Sequence, residues 1–297
     1  MTAKIISGTE VAAQIRGELK ERVNKLKEKG ITPALAVVLV GEDPASISYV
    51  TAKAKGAEEI GMHEETIRLP ADTPEEKVLQ TVDELNKDPK FHGILVQLPL
   101  PKHISTDKVI SYISAEKDVD GFHPVNVGKA LRGEPCPLPC TPHGVQELLI
   151  RSGNDPEGKH VVICGRSNLV GKPLAAILMQ KKKGANATVT ICHTGTKDIG
   201  YYARQADIVV AAMGSPKAIT ADMVRDGAVV IDVGVNRVED KTKEKGFRLV
   251  GDVDFEAIKE KAAAVTPVPG GVGPMTVTML LMNTVEAAER KAGLLAK

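Results

Sequence analysis

The chain has 297 residues, of which 42% are hydrophobic and 26% are charged, a composition typical of a globular protein with its own core. This length corresponds to one or two domains, since single cores rarely grow beyond roughly 250–300 residues. The 39 basic and 38 acidic side chains nearly cancel, and aromatic residues make up only 3% of the chain. Neither a nucleic-acid partner nor a membrane-surface partner is therefore expected.

The N-terminal sequence MTAKIISGTEVAAQ lacks the basic start and apolar centre of a signal peptide. No apolar stretch approaches the ~18 residues that a membrane span needs. The cysteines do not form the closely spaced sets of Cys and His that hold structural zinc, so no metal site is expected. A reducing, cytoplasmic location is the expectation that fits these features.

The first half of the chain alternates helix and strand patterns. Apolar residues at helical spacing predict an amphipathic helix over 9–29, and the continuous apolar run ALAVVLV at 34–40 predicts a strand buried on both faces. Four further elements are expected in this half: a helix over 46–61, a helix that begins at Thr73-Pro74-Glu75-Glu76 with a capping threonine, a strand in GILVQL at 93–98 and a short helix over 106–113.

The second half continues the alternation after a segment at 132–142 that is rich in Pro and Cys and indicates an approaching domain boundary. Strands that alternate with helices predict a parallel, doubly wound sheet, whose ligands bind beyond the carboxyl ends of the strands. The expected elements are strands at 159–165, 187–192, 207–213 and 227–234, a helix from about 172 and a long helix over 274–295.

The segment GRSNLVG at 165–171 joins a predicted strand to a predicted helix, as a dinucleotide-binding turn does. Only its first and last glycines match the usual three, so a plain packing turn stays an alternative. The next strand ends in Cys192-His193-Thr194 and offers no acid to the ribose hydroxyls of NAD. Arg166 and Thr194 could instead bind a 2′-phosphate, which favours NADP. His193 is either a further donor or a solvated loop residue.

Tyr49 and Lys53 are four residues apart and share one face of the helix predicted over 46–61. By spacing alone, they are better explained as side chains that reach into solvent. Gln97 is more unusual, since an amide that is buried without a partner costs ~1–3 kcal/mol, and it stands at the end of an apolar strand. Asp118 and Asp120 precede Gly121, a pattern that ordinary turn chemistry also explains.

Eight segments of the chain resemble, in the same order, segments of the bifunctional methylenetetrahydrofolate dehydrogenase/cyclohydrolase family. They are YVTAK (49–53), GILVQLPLP (93–101), KDVDGFHPVNVG (117–128), PCTPHG (139–144), GRSNLVGKP (165–173), DVGVN (232–236), VGDVDF (250–255) and PVPGGVGPMT (267–276). Together they span nearly the whole chain, and eight ordered matches are far more specific than any one of them.

The resemblance implies two α/β domains around a cleft. The first would be a catalytic folate-binding domain over 1–143, joined by the C-terminal helix at 274–297. The second, over 144–273, would be a Rossmann-like domain with a doubly wound parallel sheet that binds NADP. The ligands implied are one-carbon derivatives of tetrahydrofolate, and the family usually forms a homodimer.

The resemblance also implies roles for particular residues. Lys53 would be the general acid and base of the hydrolytic step, Tyr49 would pack on the folate and Gln97 would hydrogen-bond Lys53. Asp120 would anchor the pterin ring. The substrate would also lie against Gly271 and Pro274. The residues implied for the cofactor are Gly165, Arg166, Ser167, Gly171, Thr194, Val235 and Thr276.

Two other functions are consistent with parts of this pattern. One is a different two-domain, NADP-dependent dehydrogenase of the shikimate type, which would leave the segment PVPGGVGPMT unexplained. The other is a non-catalytic nucleotide-sensing module, which would require a disrupted Lys53 position, whereas the lysine is present.

Overall fold

The computed structural model describes residues 2–243 and 246–295. Two compact units make up the chain: the first unit is Ala13–Cys140 with Val277–Lys297, and the second unit is Met1–Ala12 with Thr141–Thr276. Within the described ranges, no helix is both long enough and apolar enough to cross a bilayer.

The secondary structure alternates strands and helices along most of the chain. The strands are β1 (Lys4–Ile5), β2 (Ala34–Val40), β3 (His63–Leu69), β4 (Gly93–Val96), β5 (His160–Cys164), β6 (Thr188–Cys192), β7 (Ile208–Ala211), β8 (Val229–Asp232), β9 (Asn236–Glu239), β10 (Phe247–Val250) and β11 (Ala264–Val265). The helices are α1 (Gly8–Lys27), α2 (Pro44–Ile60), α3 (Glu75–Lys87), α4 (Thr106–Tyr112), α5 (Pro124–Arg132), α6 (Cys140–Arg151), α7 (Gly171–Leu178), α8 (Ile199–Ala203), α9 (Phe255–Lys259) and α10 (Val272–Lys291).

The first unit contains a parallel sheet of three strands in the order β3-β2-β4. All seven residues of the central strand β2 are buried, as its continuous apolar sequence predicts. One face of the sheet packs on Val78, Val82 and Leu85 of α3, which recur at helical spacing. The carboxyl ends of β2 and β4 therefore lie side by side, and the segments that follow them can share one site.

The second unit contains a six-stranded parallel sheet in the order β1-β11-β8-β7-β5-β6, which confirms the predicted doubly wound α/β fold. β5 pairs with β6 on one side and with β7 on the other. The direction of strand addition therefore reverses at β5, and such a reversal opens a crevice at the carboxyl ends of the strands. β1 extends the opposite edge through β11, which is why residues 1–12 group with this unit rather than with the first.

Several local predictions were wrong. Thr73 does not cap α3, because the N-cap residue of this helix is Pro74, which has no side-chain donor or acceptor. Gln97 lies just beyond β4 rather than inside a strand, although its backbone N–H group still donates a hydrogen bond to Val38 O of β2 at 2.9 Å. The antiparallel hairpin of β9 and β10 and the helix α6 were not predicted. The sequence of α6 begins Cys-Thr-Pro-His-Gly, and these residues obscure the helical pattern that follows.

Candidate functional site

Helix α2 sets the positions of Tyr49 and Lys53. Asp43 caps its first turn by accepting a hydrogen bond from the amide of Ser46 at 2.8 Å, and Gly61 ends it in a left-handed conformation (φ 79°). The two side chains lie one turn apart but differ in environment. Tyr49 is 43% exposed, whereas Lys53 is only 7% exposed. A lysine this buried requires polar partners.

Gln97 is the partner of Lys53. The lysine Nζ donates to Gln97 Oε1 at 2.9 Å, and Gln97 Nε2 donates to Leu98 O at 2.6 Å. Because the amide nitrogen is already engaged by a carbonyl, the amide oxygen faces the lysine. An amide satisfies a lysine donor without adding a negative charge, so the lysine is not fixed in its charged form.

Asp120 and Cys140 complete the electrostatic surroundings of Lys53. Burial lowers the pKa of Lys53 from its usual value, and the Asp120 carboxylate opposes that change. Burial also raises the pKa of Asp120 to about 6, with the Lys53 ammonium acting in the opposite direction. The pKa of the Cys140 thiol is raised by its burial and by Asp120. A lysine and a carboxyl group thus both titrate closer to neutrality than usual, as proton-transfer sites require.

Asp118 holds the loop that carries Asp120. Its carboxylate accepts hydrogen bonds from the amides of Gly121 (3.1 Å), Phe122 (3.3 Å) and His123 (2.8 Å), and from Asn126 Nδ2 (2.9 Å). Four donors on one buried carboxylate fix the path of the backbone around Asp120. The turn pattern at this position was noted in the sequence, but this anchoring role was not.

Asn283 of α10 braces the same region from another element. Its Nδ2 donates to Val119 O and to Leu138 O, both at 2.8 Å, and lies 3.7 Å from Cys140 Sγ. It was not identified from the sequence, although an asparagine inside the apolar helical run MLLMNTV is a usable signal. Such a residue is buried only when its amide is satisfied.

Asp118→Asn should loosen the Asp120 loop. The substitution replaces an acceptor oxygen with an NH₂ group that faces existing donors, which should cost about 2–4 kcal/mol. We expect a lower melting temperature and a raised KM for the folate substrate, with the KM for the nucleotide unchanged. Asp107→Asn, at an exposed position on α4, is the matched control. An unchanged folate KM in a destabilised Asp118→Asn protein would refute the positioning role.

In the second unit, the turn from β5 to α7 requires glycine at both ends. Gly165 has φ 140°, and a Cβ atom there would lie 2.1 Å from Ala212 O. A Cβ atom on Gly171 would lie 2.0 Å from Gly165 O. The backbone thus makes two close approaches within one turn, directly before a helix N-terminus. This is the geometry that admits a pyrophosphate to backbone amides.

Gly165→Ala should be among the most destabilising single changes in the second unit. The added methyl group meets backbone atoms rather than a movable side chain, so we expect a loss of more than 3 kcal/mol or no folded protein. Gly128→Ala is the control, because nothing lies within 4 Å of its Cβ position and it is inside α5. It should be neutral or raise the stability by about 0.5–1 kcal/mol. Urea unfolding of both variants measures the contrast, and equal stabilities would contradict it.

The polar residues predicted for the nucleotide follow the neighbouring strands β5 and β6. Gly165 N donates to Cys192 O at 2.8 Å, so the two strand ends are adjacent. Arg166 and Thr194 are both exposed. Ser167 Oγ accepts a hydrogen bond from Val170 N at 3.0 Å, which shapes the turn. His193 Nδ1 accepts one from Gly195 N at 3.0 Å and so orders its own loop.

A second anchoring carboxylate, Asp252, holds the segments after β7 and β8. It accepts hydrogen bonds from the amides of Met213 (2.5 Å), Gly214 (2.8 Å) and Ser215 (2.9 Å), and from Asn236 Nδ2 (2.8 Å). Val235, in the segment after β8 and next to Asn236, is 50% exposed. Asp252 was recognised in the sequence only as part of the segment VGDVDF, without a role.

The glycine-rich segment that leads into α10 is also tightly packed. A Cβ atom on Gly271 would lie 2.4 Å from Pro267 O. Thr276 Oγ1 lies 2.9 Å from Thr141 Oγ1, within hydrogen-bond distance, and Pro274 is partly buried. These residues belong to the second unit, together with Gly165, Arg166, Ser167, Gly171, Thr194 and Val235. The first unit brings together Lys53, Gln97 and Asp120, with Tyr49 one helical turn from Lys53.

Comparison with known proteins gives full-length matches. A family profile described as the catalytic domain of tetrahydrofolate dehydrogenase/cyclohydrolase matches residues 6–120, and one described as the NAD(P)-binding domain of the same family matches residues 139–292. The chain is 62% identical to the bifunctional protein FolD of Dehalococcoides mccartyi (strain CBDB1), over 99% of this chain and 100% of that protein.

Two solved structures show the same fold. The bifunctional enzyme FolD of Campylobacter jejuni is 47% identical, with a TM-score of 0.91 over 97% of this chain and 99% of that one. The FolD protein of Trypanosoma brucei, solved with NADP and an inhibitor, is 42% identical, with a TM-score of 0.92 over 98% of this chain and 99% of that one. These matches give no support to a shikimate-type dehydrogenase or to a nucleotide-sensing module.

Proposed function

Because the chain belongs to the tetrahydrofolate dehydrogenase/cyclohydrolase family, it is an NADP-dependent methylenetetrahydrofolate dehydrogenase and methenyltetrahydrofolate cyclohydrolase. We propose that Lys53, held by Gln97, transfers the protons of its hydrolytic step, and that Asp120 binds the pterin beside it. The observation that carries this proposal is the buried hydrogen bond of Lys53 to an uncharged amide, near a carboxyl group whose pKa is raised.

The first reaction converts 5,10-methylenetetrahydrofolate to the 5,10-methenyl cation by loss of a hydride. NADP, when bound, accepts that hydride at its nicotinamide ring. The two nitrogens that flank the reacting carbon stabilise the cation, so no protein nucleophile is required. The task of the protein is to orient the two ligands, and orientation alone can supply ~7–11 kcal/mol of the barrier.

The second reaction adds water to the methenyl carbon and opens the ring to 10-formyltetrahydrofolate, with release of one proton. A neutral Lys53 amine can accept a proton from the attacking water, and the ammonium so formed can return a proton to the ring nitrogen that leaves the carbon. The lowered pKa of Lys53 increases the fraction of neutral amine available near neutral pH. Gln97 Oε1 holds the nitrogen in place in both protonation states.

The remaining substrate contacts are proposed from the positions of the residues implied for the folate. The exposed ring of Tyr49, one turn from Lys53, would pack on the flat pterin. Asp120, held by the loop that Asp118 anchors, would accept hydrogen bonds from the amino group and ring nitrogen of the pterin. Gly271 and Pro274 would approach the substrate mainly through their backbone atoms.

The cofactor contacts are proposed for the carboxyl edge of the six-stranded sheet. Arg166 and Thr194 would bind the 2′-phosphate, since both are exposed beyond adjacent strands and no acid occupies the end of β6. Ser167 and the amides between Gly165 and Gly171 would bind the other phosphates. The remaining cofactor contacts would come from Val235 and Thr276.

We propose a cytoplasmic homodimer formed through the second units. β6 is an edge strand of the six-stranded sheet, and its Ile191 is 37% exposed. Edge strands of this kind are usually covered by another chain or element. Sedimentation equilibrium should give twice the chain mass, and Ile191→Lys should shift the equilibrium towards monomer. A monomeric wild-type protein would refute the proposal.

An absorbance assay tests both activities. With 5,10-methylenetetrahydrofolate and NADP, methenyl product should appear in acid-quenched samples, and added methenyl substrate should decay faster with enzyme than in buffer. NAD should support the first reaction less well than NADP. An absence of methenyl product with both cofactors would refute the assigned oxidation.

A further inference from the structure

A pocket in the first unit is not lined by Lys53, Gln97 or Asp120, although Asn126, which donates to Asp118, forms part of its wall. Its volume is about 360 Å³, which is within the range of small-molecule sites. Apolar walls come from Phe91, Ala115, Pro135, Pro137 and Ala287. Four cationic side chains also line it, namely Lys117, Lys129, Arg290 and Lys291, whereas Glu116 is the single carboxylate among the described residues of its wall.

Two of these lysines, Lys117 and Lys291, make no hydrogen bond to a carboxylate among the described residues. Lys117 Nζ donates to Leu85 O (2.9 Å) and Asp88 O (2.6 Å), and Lys291 Nζ donates to Pro89 O (2.7 Å). These partners are all backbone carbonyls, which carry no charge. Burial and the nearby Lys291 lower the pKa of Lys117, and the Asp88 carboxylate opposes this change only in part, so the two ammonium groups disfavour each other. An anion between them would relieve that repulsion.

A histidine also lines this pocket. His92 is 9% exposed, and its Nδ1 accepts a hydrogen bond from the amide of Ala34 at 3.2 Å. Burial, Lys291 and Lys117 lower the pKa of His92 to about 4, so the ring is neutral at pH 7 and carries its proton on Nε2. That Nε2–H group has no hydrogen-bond partner among the described residues, so it can donate to a ligand in the pocket.

The pocket combines apolar walls, two neighbouring lysines that hydrogen-bond only to carbonyls, and a histidine N–H group without a partner among the described residues. We propose that it binds a small organic anion with an aromatic or similarly flat apolar body. The flat body would lie against the apolar wall that includes Pro135 and Pro137. The anionic group would lie near Lys291 and Lys117, where His92 Nε2 donates to it. The site is separate from those proposed for folate and NADP.

Cys136 provides a local reporter for this site. It lines the pocket and is partly exposed, whereas the other three cysteines of the chain are buried. Its alkylation by iodoacetamide, followed by mass spectrometry of the peptide, therefore reports on the pocket alone. A ligand bound elsewhere on the protein does not shield this thiol.

The test compares two probes that have the same ring system and differ only in whether they carry a sulfonate group. 8-Anilinonaphthalene-1-sulfonate carries a sulfonate, and N-phenyl-1-naphthylamine has the same rings without it. The full chain, saturated with NADP to occupy the nucleotide site, is alkylated in the presence of each probe. We expect the sulfonate to slow Cys136 alkylation at least tenfold at saturation and the neutral probe to give little protection at equal concentration. Equal protection by both probes, or none by either, would overturn the proposal.

Lysine variants show whether the protection of Cys136 arises from binding in this pocket. The double variant Lys129→Gln/Lys291→Gln changes two exposed side chains, and we expect it to raise the half-protecting sulfonate concentration at least tenfold. Lys25→Gln, an exposed position on α1 outside the pocket, should leave that concentration unchanged. Thermal melts and dehydrogenase activity confirm that each variant is folded. Unaltered protection in a folded double variant would overturn the proposal.

Discussion

Lys53→Met should abolish hydrolysis while sparing part of the hydride transfer. Methionine approximates the length and apolar stem of lysine but cannot move a proton, and general acid–base catalysis contributes about 10²–10⁴-fold to rates. We expect the rate of methenyl decay to fall by at least 10²-fold. Dehydrogenase activity, measured as methenyl product in acid-quenched samples, should fall far less, because that step needs mainly orientation of the ligands.

The control for this change lies on the same helix. Lys55→Met removes an exposed lysine from α2 and should leave both activities within twofold of the unmodified enzyme. If Lys53→Met lowers both activities equally while its melting temperature is unchanged, Lys53 serves binding in general rather than the hydrolytic step.

Arg166→Gln should weaken the preference for NADP over NAD. A charge-assisted hydrogen bond to a phosphate is worth about 1.5–3 kcal/mol, so the KM for NADP should rise by roughly 10–150-fold. NAD has no 2′-phosphate, so its kcat/KM should stay within about twofold. Initial rates of the dehydrogenase step with each cofactor give both values.

The internal comparison of cofactors makes this test selective. A general distortion of the turn between Gly165 and Gly171 would lower kcat/KM for NADP and NAD together, whereas loss of a phosphate contact affects NADP alone. An equal fall in kcat/KM for both cofactors would show that Arg166 maintains the shape of the turn and would refute its proposed contact with the 2′-phosphate.

The elements that a sequence predicts well are those whose signal lies in neighbouring residues. The run at 34–40 is apolar on both faces, and it forms the fully buried strand β2. The rule that ligands bind beyond the carboxyl ends of strands correctly points to Gln97 and to the turn that starts at Gly165. Both lie directly after strands, and both make the close contacts described above.

Residues whose role depends on distant partners were harder to predict. Asp252 and Asn283 bond to segments far along the chain, and their own neighbours give only a turn pattern or a polar residue in an apolar run. Asp118 accepts from the loop that follows it, and the sequence there shows a turn but not that one carboxylate receives four donors. The burial of Lys53 is a similar case. Its spacing from Tyr49 shows that the two residues share a face but does not show which of them is buried.

The part that α10 contributes to the first unit affects the order in which the chain folds during synthesis. All residues of the second unit precede residue 277, whereas the first unit also requires Val277–Lys297. Asn283, which braces the backbone just before Asp120 and Cys140, is therefore translated after every residue of the second unit. The second unit can therefore complete its fold first, whereas the first unit stays unfinished until its part of α10 has been made.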